Sequence, residues 1–134
     1  MKRFERVLLF GSFDPLHFGH IRLIRRAADL AERVIVATDS DDIIRAVKRR
    51  EPTTTLDQRV GDLMQVRGVE RVVVESQSED KRHWIRVLQP DALIKGDDWK
   101  GKGWSGEGLG VEVIYLPHTP GVSSSDFARL VRGG

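Results

Sequence analysis

Two histidines three residues apart, His17 and His20, follow a tight turn, Gly11-Ser12-Phe13-Asp14-Pro15, and open a stretch with helical apolar spacing. Residues i and i+3 share one face of a helix. A helix start presents unpaired N–H groups and a partial positive charge, both of which draw anions. Two imidazoles on that face add N–H donors aimed at the same spot, and Gly19 between them lets a bulky ligand approach closely. The chemistry such a grouping serves is the clamping of phosphate. An isolated H-x-x-H also fits plainer roles, as half-buried helix residues or as two ligands of a zinc ion. The zinc role lacks partners: there is no Cys, His83 and His118 are the remaining imidazoles, and no H-E-x-x-H is present. The apolar run before the turn and the apolar helix after it favour phosphate.

The elements that position this group follow from the apolar pattern. Val7–Phe10 reads as a buried strand ending at Gly11, and Phe18 to Ala31 as a helix bearing Ile21, Leu23, Ile24, Ala27 and Ala28. Val34–Thr38 is a β-branched strand and Ile43–Val47 a short helix running into Lys48-Arg49-Arg50. Thr54-x-x-Asp57 resembles a capping box, with Asp in place of Glu, opening a helix with Leu56, Val60, Leu63 and Val66. Arg71–Val74 is a third strand, Ser78 opens a helix carrying Trp84, Ile85 and Leu88, and Ala92–Lys95 and Val111–Leu116 are strands four and five. Ser123-x-x-Asp126 caps a last helix through Leu130. Strands alternating with helices predict an α/β fold, doubly wound, with a mostly parallel five-stranded sheet covered on both faces. Ligands of such sheets bind outside the carboxyl ends of the strands, so the loops after Phe10, Thr38, Lys95 and Leu116 are expected to converge.

Composition narrows the function classes. The chain has 134 residues, which fits a single domain over 1–134. With 22 Lys+Arg against 20 Asp+Glu the net charge is +2, which disfavours a protein that coats nucleic acid. The absence of Cys removes thiol catalysis and disulfides. Val7–Phe10 is too short for a signal-peptide core and no run reaches membrane-spanning length, so the expected location is the cytoplasm and no membrane partner is expected. Two patterns in the glycine-rich stretch mimic nucleotide loops. Gly96-Asp97-Asp98-Trp99-Lys100-Gly101-Lys102 matches the start of a P-loop, but Gly103 stands where Ser or Thr should bind magnesium, and no helix follows. Gly101-x-Gly103-x-x-Gly106 matches a dinucleotide fingerprint but leads into a strand. Gly101–Gly110 is therefore expected to be a mobile loop.

The segment GSFDPLHFGH resembles the first signature of the H-x-G-H nucleotidyltransferases, in the cytidylyltransferase-like family. VIVATDSDD, TTTLDQR, IKGDDWKGK and VEVIYLPHTPGVSSS extend the resemblance over nearly the whole chain, most like the glycerol-3-phosphate cytidylyltransferases. The resemblance implies a Rossmann-like sheet, a homodimer, CTP as donor and a divalent metal, Mg²⁺, carried on the CTP phosphates. It implies that His17 and His20 bind the triphosphate and stabilise the transition state, with Lys48 and Arg67 as further catalytic cations. Arg50 accompanies Lys48, with Arg49 as an alternative after a one-residue length difference. Gly11, Ser12, Phe13, Asp14 and Gly19 match the nucleotide turn. Gly96 and Asp97 match its second wall, and Asp98 and Trp99 the substrate contacts. His118, Thr119, Gly121, Val122, Ser123 and Ser124 match the last nucleotide signature. His118 stands where that pattern has Arg, exchanging a permanent bidentate cation for a titratable ring.

The activity implied is transfer of CMP from CTP to a phosphomonoester, glycerol 3-phosphate in the first place, giving CDP-glycerol and pyrophosphate. The same parts serve phosphoethanolamine, a sugar phosphate or flavin mononucleotide as acceptor, or ATP as donor. A nucleotide-binding protein without catalysis is the alternative from another class, and the intact histidine pair argues against it.

Overall fold

The computed structural model describes residues 2–117. Strand β1 (Phe4–Gly11) leads into helix α1 (Phe18–Leu30), which passes without a loop residue into β2 (Ala31–Asp39). Helices α2 (Asp41–Lys48) and α3 (Leu56–Met64) precede β3 (Val69–Glu75). Helix α4 (Lys81–Leu88), β4 (Ala92–Gly96), a 3-10 turn over Asp97–Trp99 and β5 (Glu112–Leu116) complete the described order. The strands form one sheet in the order β3-β2-β1-β4-β5, and every pairing is parallel. The order reverses between β1 and β4, the place where such sheets open a crevice for ligands.

Alternate residues of β1 serve the two faces, as the twofold period of a strand requires. Val7 and Leu9 pack with Ile24 and Ala27 of α1 and Leu63 of α3. Leu8 and Phe10 pack on the other face with Trp84 and Leu88 of α4 and with Trp104. Burying such a side chain contributes roughly 1.5–3 kcal/mol, so the apolar strand core fixes where the polar carboxyl ends must lie.

Helices α2, α3 and α4 are capped by short polar side chains, two of them displaced from the positions the sequence pattern favours. Thr55, not Thr54, caps α3 by accepting from Gln58 N at 3.1 Å. Thr54 is drawn away because its hydroxyl and amide donate to Asp14. Asp80, not Ser78, caps α4, and the helix begins at Lys81. The segment expected to be a mobile loop is packed instead. Trp104 is 8% exposed and its indole N–H donates to the Tyr115 hydroxyl at 3.0 Å, which donates to Glu107 at 2.8 Å. A side chain on Gly106 would lie 2.0 Å from that indole, so only glycine lets the backbone run against the ring.

Candidate active site

A cavity of about 430 Å³ opens at the carboxyl ends of β1, β2 and β4. Its floor is the turn after β1. Thr38 donates its hydroxyl to Ser12 O at 3.0 Å and Ser12 donates to Asp39 at 3.0 Å, tying the turn to the end of β2. Phe13 holds a left-handed backbone, φ 51°, while nearly buried. Its ring lies against Gly11, where a Cβ would come within 2.9 Å, and meets the edge of His20 at 5.0 Å between centroids. A non-glycine residue in this conformation stores on the order of 1–3 kcal/mol of strain, which the packing of Phe13 between Gly11 and His20 opposes.

The two histidines build the start of α1 themselves. His17 is the N-cap, and its Nδ1 accepts from Gly19 N at 3.0 Å. His20 stands at the third helical position, and its Nδ1 accepts from His17 N at 3.2 Å, closing a capping box made of two imidazoles. The rings stack with centroids 3.7 Å apart. The amides of His17 and Gly19 at this helix start are thus engaged by the rings. With Nδ1 an acceptor, each neutral ring carries its proton on Nε2, and the helix start presents imidazole N–H donors to the cavity. Burial lowers the pKa of His17, while burial, His17, Lys48 and Lys95 together push that of His20 well below its ordinary value. Both rings are neutral donors near pH 7.

Lys48, the last residue of α2, lines the same cavity, and burial followed by the neighbouring Arg50 lowers its pKa. Gly11, Ser12, Phe13, Gly19, Gly96, Asp98 and Trp99 also line it. Asp97 is exposed, as are Asp98 and Trp99 beside it in the 3-10 turn.

Three assignments drawn from the resemblance fall elsewhere. Asp14 is fully buried, and its carboxylate faces the segment after α2 rather than the cavity. It accepts from Thr53 N at 2.8 Å, from Thr54 N at 2.7 Å and from the Thr54 hydroxyl at 2.8 Å. Arg50 pairs with it at 2.7 Å and donates again to Asp14 O at 3.0 Å, and Arg59 stands 4.0 Å from its other oxygen. Burial acts to raise the pKa of Asp14, but the donors from Thr53, Arg50 and Thr54 hold it below its ordinary value. Arg67 is exposed in the turn that enters the amino end of β3, whereas the cavity opens at the carboxyl ends. His118, Thr119, Gly121, Val122, Ser123, Ser124 and the helix through Leu130 lie outside the described residues. The P-loop lookalike forms a 3-10 turn and a tight turn, and Lys102 does not line the cavity.

Other site residues were not singled out from the sequence. Lys95, Lys81, Asp39 and Trp104 line the cavity. Lys95 carried a signal, a single charge at the carboxyl end of an otherwise apolar strand. Arg59 is fully buried, donating to Asp41 at 2.6 Å, to Asp39 O at 3.1 Å and to Thr54 O at 2.6 Å. It joins the end of β2 to the segment that clasps Asp14. Among the described residues no group of three or more His, Asp or Glu can hold a metal ion. The carboxylates among the residues that line the cavity are those of Asp39 and Asp98.

The cavity lies at the switch point of a parallel sheet beside a helix start that carries two imidazoles, and comparison with known proteins supplies the class. The cytidylyltransferase-like family model matches residues 8–129, and the chain belongs to that family. It is 33% identical to the glycerol-3-phosphate cytidylyltransferase of Bacillus subtilis (strain 168) over 96% of this chain and 98% of that protein. It is 32% identical to the bifunctional protein HldE of Helicobacter hepaticus, covering 98% of this chain but 27% of that protein. In fold it is similar to a lipopolysaccharide core biosynthesis protein of Thermoplasma volcanium GSS1, with a TM-score of 0.68 and 22% identity over 87% of this chain and 97% of that one. The chain is a cytidylyltransferase-type nucleotidyltransferase.

Proposed function

We propose that the chain transfers CMP from CTP to a phosphomonoester, glycerol 3-phosphate in the first place, giving CDP-glycerol and pyrophosphate. The observation that carries this is the stacked His17–His20 pair, two neutral N–H donors beside Lys48 in a cavity at the sheet's switch point. The name of the B. subtilis relative supports the choice of donor and acceptor.

The chemistry asks little of the protein beyond position and charge. A phosphomonoester near neutral pH is already an anion, so its oxygen attacks the α-phosphorus without a general base. A new P–O bond forms, the bond to the bridging oxygen breaks, and pyrophosphate leaves with the electron pair. His17, His20 and Lys48 hold the triphosphate oxygens and offset charge that builds on them. Bound Mg²⁺ would neutralise phosphate charge, with Asp39 and Asp98 the carboxylates in reach of the cavity. The active unit is proposed to be a homodimer, which sedimentation at micromolar concentration checks.

A sugar phosphate as acceptor is favoured by one observation, the two indoles of Trp99 and Trp104 in the cavity wall. Pyrophosphate release measured over four nucleoside triphosphates against glycerol 3-phosphate, phosphoethanolamine, glucose 1-phosphate and flavin mononucleotide decides. CTP with glycerol 3-phosphate is expected to be the fastest pair. Release with another acceptor alone corrects the substrate, and none with any pair overturns the proposal.

A further inference from the structure

Three ammonium groups line the cavity, and one of them is neutralised on the spot. Lys81 is held by both oxygens of Glu75, at 2.8 and 3.0 Å. Lys48 and Lys95 form no salt bridge with any carboxylate among the described residues, although both are half-buried. Lys95 ends the apolar run of β4, at the switch point. Its ammonium donates to Phe10 O at 3.3 Å across the β1–β4 crevice and lies 4.9 Å from the ring centre of Trp99 and 4.8 Å from that of Trp104. Burial, with Lys81 next, lowers its pKa to about 8 against the opposing pull of Asp39 and Asp98. Taking an ammonium out of water without a carboxylate is unfavourable, and an arriving anion is what offsets the cost.

The two unneutralised lysines approach the cavity from different elements. Lys48 comes with the imidazole pair from the β2 side. Lys95 comes from β4, under indoles supplied by the 3-10 turn and the packed loop after it. An in-line displacement places the leaving pyrophosphate and the attacking oxygen on opposite sides of the α-phosphorus. With pyrophosphate held by His17, His20 and Lys48, the remaining cation without a carboxylate at the cavity, Lys95 on β4 beneath the two indoles, is left for the phosphate of the nucleophile. We propose that Lys95 receives the phosphate of the acceptor, with Trp99 and Trp104 walling its carbon skeleton, and that the acceptor is therefore a small polyhydroxylated phosphomonoester. This rests on nucleotidyl transfer at the histidine pair. Lys95 is then a specificity-determining contact separate from the triphosphate site, and the loop of Gly101–Gly110 acts by holding Trp104 over it.

Lys95→Met removes the charge and keeps the length. Losing a hydrogen bond to a charged group costs about 1.5–3 kcal/mol, so KM for glycerol 3-phosphate or glucose 1-phosphate, whichever wild type uses, is expected to rise roughly 10–100-fold. KM for CTP should stay within about threefold on the same reasoning, whereas Lys48→Met should raise it. Lys95→Arg keeps a cation and is expected to recover most of the loss. Titration of glycerol 3-phosphate, glucose 1-phosphate and inorganic phosphate by calorimetry, without nucleotide, reads the same contact with no turnover. Weaker binding of these probes to Lys95→Met than to wild type, at an unchanged or higher urea midpoint, supports the proposal. Equal affinity in the two proteins, or a rise confined to KM for CTP, overturns it. A wild type that binds the probes through Lys95 but releases no pyrophosphate with any pair would instead contradict the transfer reaction.

Discussion

Asp14 and His20 flank the same turn and are fixed by opposite means. Asp14 is an anion whose oxygens accept from Thr53, Thr54 and Arg50, and its removal leaves those donors facing a hole. Breaking a buried pair from one side costs about 3–5 kcal/mol. Asp14→Ala is expected to lower the unfolding free energy in urea by about 3 kcal/mol on that basis, more than Arg50→Ala, whose site is nearer solvent. His20 must be neutral, because Nδ1 can accept from His17 N only without a proton. Its folded pKa, like that of His17, lies below the unfolded value of about 6.5. As pH falls below about 6.5 the unfolded chain takes up protons first. The stability these rings contribute is therefore present above that pH and lost as pH falls through their folded values. Urea midpoints from pH 8 to 5 should decline in wild type and decline less in a His17→Gln, His20→Gln variant; parallel declines would show that the pair does not titrate as described.

At the scale of elements, the strands and helices were legible from apolar spacing because their burial dominates every other preference. Boundaries shifted where a tertiary partner outbid a local one. Thr54 is a sound cap in isolation, but it lies beside a buried carboxylate, and the next threonine caps instead. The glycine-rich stretch misled for the same reason. Its glycines read as freedom, while one of them, Gly106, serves close packing against Trp104. Gly106→Val is expected to expel that indole, seen as red-shifted tryptophan emission and greater quenching by iodide; an unchanged spectrum would mean that Trp104 does not rest on this backbone. In the site, the turn, the histidine pair and Lys48 were readable because they are close in sequence or matched a known pattern. Lys95, Asp39 and Arg59 were not, since their importance arises from which strand ends meet, and β4 joins β1 across more than eighty residues. Arg50 and Arg67 show the converse limit of matching by position. Matching positions say nothing of the ion pair that Arg50 makes with Asp14, or of the place of Arg67 before the amino end of β3.

For the whole molecule, the order β3-β2-β1-β4-β5 places one crevice between β1 and β4, and the imidazole pair and the tryptophans Trp99 and Trp104 line one cavity there. No described helix is long and apolar enough to cross a membrane. The central claim is that this crevice transfers a nucleotide through the His17–His20 donors. It is tested most directly by steady-state pyrophosphate release from CTP and glycerol 3-phosphate with Mg²⁺, in wild type and in His17→Ala and His20→Ala variants shown to be folded by circular dichroism. Removing one transition-state donor costs roughly 10²–10³ in turnover. The account predicts measurable release by wild type and a loss of that size in each variant. Wild-type rates in folded histidine variants would contradict it.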